Sequence, residues 1–137
     1  MFEILEFKNA HNLLMLEKKN QAQEILISLR KDFSLHPDYL FLMSLFLNMD
    51  NRIYLAIDSL LLSIKIDNNM EFLKKRNFIG SSTELVKERY LLLISLFIKI
   101  DIPKLTNLTK EALDTGDHLK FINYVNKIMP GIRLRAL

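Results

Sequence analysis

The sequence predicts an all-α protein, laid out as a row of antiparallel helical hairpins. Three observations predict it. Leu (27) and Ile (15) greatly outnumber Val (2), a balance unlike the β-branched and aromatic mixture that strands prefer. Apolar residues recur at helical spacing between start and stop signals that divide the chain into about eight segments. The connections between those segments are short, so consecutive helices must run antiparallel.

Glu3 to Glu17 carries Leu5, Asn9, Leu13 and Leu16 near one stripe, and Lys18, Lys19 and Asn20 break it. Gln21 to Phe33 follows, with Ala22, Leu26, Leu29 and Phe33 at helical spacing. Pro37, with its fixed φ and no needed N–H, opens a helix over Asp38 to Met49. Asp50, Asn51 and Arg52 are turn chemistry; Ile53 to Ile66 forms the next helix, and Asp67, Asn68 and Asn69 end it. A shorter piece runs from Glu71 to Ile79 and stops at Gly80. Ser81 to Glu84 reads as a capping box, with Ser81 as the cap and Glu84 reaching back, starting a helix that runs to about Ile100. Pro103 opens the seventh helix and Thr115, Gly116 and Asp117 close it. The eighth runs from His118 to Met129, where Pro130 and Gly131 terminate it.

The chain has 137 residues, enough for one domain with a real core. Only three Gly and three Pro argue against disorder or low complexity. With no Cys there is no disulfide framework, thiol nucleophile or cysteine-ligated zinc. A formal charge of +3 mildly favours an acidic partner. Glu3 and Glu6 stand where a secretory signal needs a basic stretch, so a cytoplasmic location is expected. The apolar segments 39–47, 53–66 and 90–98 fall short of the roughly 20 residues that cross a bilayer, so no membrane insertion is expected.

A shift of 34 residues places Ala10 on Ser44, Leu13 on Leu47, Ala22 on Ala56 and Leu26 on Leu60. Small residues fall on small and large on large, as closely crossing helices require. Segment 56–69 resembles the second helix of a tetratricopeptide repeat, with Ala56, Leu60, Ser63 and Asp67 at its small, large, small and acidic places. Leu40, Met43, Ser44 and Leu47 take the apolar and small places of that repeat's first helix. Thr115, Gly116 and Asp117 resemble its inter-helix turn. Phe78, Tyr90 and Phe97 stand where a third repeat should have small residues. The resemblance implies a single domain over 1–137, a right-handed array of three to four hairpins at about 3–34, 37–68, 71–100 and 102–130. It also implies a binding function, in which the first helix of each hairpin lines a concave surface.

The segments 39–49 and 53–66 are apolar nearly all round, so one face packs the hairpin and another needs a neighbour. The places expected to line the groove and bind a partner are Phe7, His11, Leu14 and Met15, then Phe41, Leu42, Leu45, Asn48 and Met49. The expected occupant is an amphipathic or extended protein segment, as in the chaperones of bacterial secretion systems, with a homodimer or a larger assembly as rival coverings. Nucleic acid is the disfavoured alternative: Lys74, Lys75, Arg76 and Arg89 supply positive charge, but Glu71, Glu84 and Glu88 dilute it. His11, His36 and His118 show no metal-ligand spacing, and Gly80 to Thr83 lacks the Lys and second Gly of a phosphate loop. The expectation is therefore a binding protein rather than an enzyme, without cofactor or metal.

Overall fold

The computed structural model describes Phe2 and residues 4–136, with side chains to residue 127. The described residues form eight helices and no strand: α1 (Leu5–Met15), α2 (Lys19–Phe33), α3 (Pro37–Met49), α4 (Ile53–Asp67), α5 (Met70–Lys75), α6 (Thr83–Lys99), α7 (Pro103–Thr115) and α8 (His118–Ala136). Proline opens α3 and α7 at the first helical position, where its missing N–H costs nothing. The α3 cap is His36, whose Nδ1 accepts the Asp38 N–H at 3.1 Å. Ser82 rather than Ser81 caps α6, accepting the Leu85 N–H at 3.3 Å.

One turn joins the helices of three hairpins. Glu17, Asn51 and Asp101 take up left-handed backbone, with φ of 59°, 60° and 54°. The next residue in each turn donates its N–H back over the helix end, Lys18 to Leu13 at 2.9 Å, Arg52 to Leu47 at 2.9 Å and Ile102 to Phe97 at 3.2 Å. This closure satisfies carbonyls that a helix end otherwise leaves open.

Glu17 and Asn51 lie 34 residues apart, the interval of the sequence repeat. The side chains keep that register. Ala10 and Ser44, Ala22 and Ala56, and Leu26 and Leu60 are all fully buried or nearly so. Burying a Leu of this kind contributes roughly 1.5 to 3 kcal/mol, and the small partners let the helices approach closely enough to do it.

The next turn, at Asp101, comes sixteen residues later than the interval requires. The extra chain is α5 with the segment 76–82. α5 spans only six residues because Asn77 turns left-handed and the Phe78 N–H closes back on Leu73 at 2.9 Å. Leu73 packs on Leu40 and Ile66, so α5 is a patch on α3 and α4. α6 packs on α7, an adjacency that the expected division into 71–100 and 102–130 cuts across, while α7 and α8 also touch. α4 sits centrally and touches α3, α5, α6 and α8. At the far end α8 does not stop at Pro130, as its backbone stays helical through Gly131 to Ala136. No helix among the described residues is long and apolar enough to cross a membrane.

Candidate functional site

Of the nine residues expected to line a groove, four belong to the core instead. Phe7, Leu14, Phe41 and Leu42 are buried. Phe7 packs edge-on against Phe33 and His36, with ring centroids 5.3 and 5.0 Å away. The physical reason lies in α3, which packs against α1, α2 and α4, so most of its all-round apolar surface is consumed by intramolecular packing. His11 is half-buried against the Phe2 ring at 5.2 Å. Burial lowers its pKa, and the nearby Glu88 carboxylate opposes that effect.

The others come together. Met15, Leu45, Asn48 and Met49 border an open groove of about 550 Å³ between α1 and α3, with Leu14 showing one edge and Glu17 and Lys19 at the rim. Met15 is 55% exposed and Met49 37%, unusual for large apolar side chains unless something covers them. The groove has polar contacts too. Lys99 Nζ reaches across from α6 to Asn48 Oδ1 at 2.8 Å, and Lys19 Nζ pairs with Asp50 at 2.7 Å.

A second constellation was not anticipated. Arg89, counted in the sequence as surface charge, is only 1% exposed. Its guanidinium donates to Asp67 Oδ2 at 2.7 Å, to Ser63 Oγ at 3.0 Å and to Ser81 Oγ at 2.8 Å. Ser63 in turn donates to the Pro37 carbonyl at 2.6 Å, and Ser81 donates to Asp38 Oδ1. The Ser81 backbone N–H completes the net on Asp67 Oδ1 at 2.8 Å. Among the described residues, Arg89 Nε finds no hydrogen-bond partner. A buried ion pair depends on extra bonds to its remaining donors and acceptors, and Ser63 and Ser81 supply them for all but Nε. The net joins α3, α4, the 76–82 segment and α6 at one point. The available signal was positional: Leu85, Arg89 and Leu93 follow at four-residue steps, putting a charge on the buried stripe of α6.

Beside this net lies a partly open cavity of about 450 Å³ whose walls include Phe2, Phe33, His36, Phe78, Asp38 and Ser82. Desolvation by burial pushes His36 down to about 4, with Asp67 opposing and Arg89 assisting, so the imidazole is neutral near pH 7. Its Nδ1 accepts from Asp38, which assigns the ring proton to Nε2. On the other side of α6, the Tyr90 hydroxyl meets His118 Nδ1 and the two rings stack at 5.2 Å. Burial holds the Tyr90 hydroxyl well above the usual tyrosine range. Among the described residues, no group of three His, Asp or Glu is placed to hold a metal ion.

Compared with models of protein families, with curated proteins and with solved structures, the chain matches none.

Proposed function

We propose that this chain is a degenerate helical-repeat protein of the tetratricopeptide kind, built to bind a protein segment in the groove between α1 and α3. The observation that carries the reading is the pair of exposed thioethers, Met15 and Met49, facing one groove floored by Leu45. Methionine is unbranched and polarisable, so it adapts to the side chains of an incoming amphipathic helix. Two polar lining residues of the groove, Lys19 and Asn48, would fix the register of that helix. The 34-residue interval supports the family part of the proposal, since both side-chain burial and turn geometry repeat at it. A chaperone of an export substrate fits this description, by analogy of architecture and size.

The second reading, a subunit docked in a larger assembly, is favoured by Leu91 and Ile98. They stand seven residues apart on α6, and both are exposed. The nucleic-acid reading loses Arg89 to the core and keeps Lys74, Lys75 and Arg76, exposed on and just after a six-residue helix.

A photo-crosslinking residue introduced in turn at Met49, Ile98 and Glu111, in cells of the source organism, separates these readings. Groove binding predicts a discrete partner from Met49 and little from Ile98 or Glu111. It also predicts that Met15→Asp removes the Met49 adduct while circular dichroism stays unchanged. Adducts from Ile98 alone would move the interface to α6, and adducts of equal strength from all three sites would defeat the groove.

A further inference from the structure

The cavity beside the Arg89 net is separate from the α1–α3 groove, and its lining points beyond protein binding to a small molecule. Its volume, about 450 Å³, falls in the range of such sites. Four rings from three stretches of chain stand in its walls: Phe2 ahead of α1, Phe33 and His36 where α2 passes into α3, and Phe78 after α5. Phe33 and Phe78 stack at 6.2 Å and 30°, and His36 lies 4.7 Å from Phe78 and 5.9 Å from Phe33. Ile4 and Ile79 extend the apolar part of the lining. The three phenyl rings are only half-buried, so ring surface remains open to a guest. An aromatic guest gains more from such rings than the area it buries, through offset and edge-to-face contacts.

His36 adds one directional group. The residue is 4% exposed, and its Nδ1 is spent on the Asp38 backbone N–H at 3.1 Å. Burial pushes its pKa down to about 4, so near neutral pH the ring carries its single proton on Nε2. Among the described residues, no hydrogen bond engages that N–H. Nor is the atom sealed among packed side chains: the sealed polar side-chain atom without a partner, among those residues, is Arg89 Nε. The open space that His36 borders is this cavity. A buried residue with an idle donor calls for an acceptor, and here the acceptor must come from the cavity. The ionic groups of the neighbouring net are engaged already, Arg89 with Asp67 at 2.7 Å and the Asp38 carboxylate with the Ser81 hydroxyl.

We propose that this cavity binds a small neutral aromatic molecule bearing a hydrogen-bond acceptor, its ring packed on Phe33 and Phe78 and its acceptor atom taking the His36 Nε2–H. The rings select a planar guest. The donor fixes its orientation and rejects a hydrocarbon of similar outline, which would leave the N–H unpaired. Water can satisfy the nitrogen but leaves the rings wet, so a guest with both features should displace it.

The test is NMR titration of the intact chain at neutral pH with three probes: acetophenone, ethylbenzene, which lacks the carbonyl acceptor, and cyclohexyl methyl ketone, which lacks the aromatic ring. Acetophenone should shift the ring resonances of Phe33 and Phe78 saturably and bind at least fivefold more tightly than either of the others. It should also move the His36 Nε2 resonance, which ethylbenzene should leave in place. Phe78→Ala should weaken acetophenone at least fivefold with helicity intact. His36→Asn keeps an acceptor for the α3 cap but removes Nε2, and should bring acetophenone down to the affinity of ethylbenzene. Should that variant fail to fold, the Nε2 resonance of the parent decides. Equal binding of acetophenone and ethylbenzene would overturn the proposal, and so would equal binding of the two ketones. It would also fall if acetophenone gave no saturable shift, as for a cavity that holds only water, or bound Phe78→Ala as well as the parent.

Discussion

The two halves of the molecule are held together by different physics. In α1 to α4 the helices meet through matched small and large apolar residues, Ala10 with Ser44 and Ala22 with Ala56 in the small places, Leu26 with Leu60 in the large. Where α6 joins them, Leu85, Leu93 and Phe97 continue the apolar core, and a buried ion pair wrapped in serine hydroxyls is added to it. Apolar packing is forgiving of exchange between similar shapes, whereas a hydrogen-bonded charge is unforgiving of losing a single partner. The first half should therefore tolerate conservative variation broadly, and the second should fail abruptly at one residue.

Removing the guanidinium is the severest way to probe that contrast. Arg89→Ala leaves Asp67, only 10% exposed at its side chain, without its charged partner and should cost about 3 to 5 kcal/mol, read from urea unfolding. Loss of α6 docking should show first as exchange of the α6 amides. An Arg89→Ala protein as stable as the parent would mean that the net is incidental. Next in size is the packing of the first half. Ala56→Phe should overpack the α3–α4 crossing by about 1 to 3 kcal/mol, and Ala22→Phe should do the same at its repeat-related place. Lys19→Ala, at the surface, should leave the thermal midpoint almost unmoved. Equal midpoints for all three would erase the register on which the first half is argued.

The smallest effect is one of pH. His36 binds its proton less readily folded, at about 4, than unfolded, at 6.5. Between those values the unfolded chain takes up a proton that the folded one refuses, so this contribution to stability is present above about 6.5 and lost as pH falls toward 4. His36→Asn keeps an acceptor for the α3 cap and removes the titration. Its midpoint should fall less steeply than the parent's across that window, and parallel slopes would show that His36 does not couple to folding.

Legibility in the sequence divides along the same line as the physics. The eight helices were readable because apolar residues recur at helical spacing between start and stop signals, and a local pattern needs no knowledge of the rest of the chain. The adjacency of α6 and α7 was not legible because α5 and the segment after it interrupt the interval, and nothing in Glu71 to Ile79 says that the segment is a patch. Met15, Leu45, Asn48 and Met49 share one groove that the buried Leu14 touches with an edge, whereas Phe7, Phe41 and Leu42 lie in the core. An all-apolar helix does not reveal which of its sides the protein itself will cover. The Arg89 net escaped notice for a different reason. Asp38, Ser63, Asp67, Ser81 and Arg89 are dispersed over some fifty residues, and only the folded chain brings them to one place.

The shared turn at Glu17, Asn51 and Asp101 bears on how such a molecule could be worked with at the bench. Left-handed backbone suits Gly best and Asn next, yet two of these three hairpin turns use neither. Glu17 borders the groove and is best left alone. Asp101 is solvent-exposed and lines neither cavity, so exchanging it for Gly or Asn would relax the backbone without changing a lining residue. A sturdier parent made in this way could carry fragile substitutions at Arg89 or Asp38 through purification, and so let their consequences be measured rather than lost to precipitation.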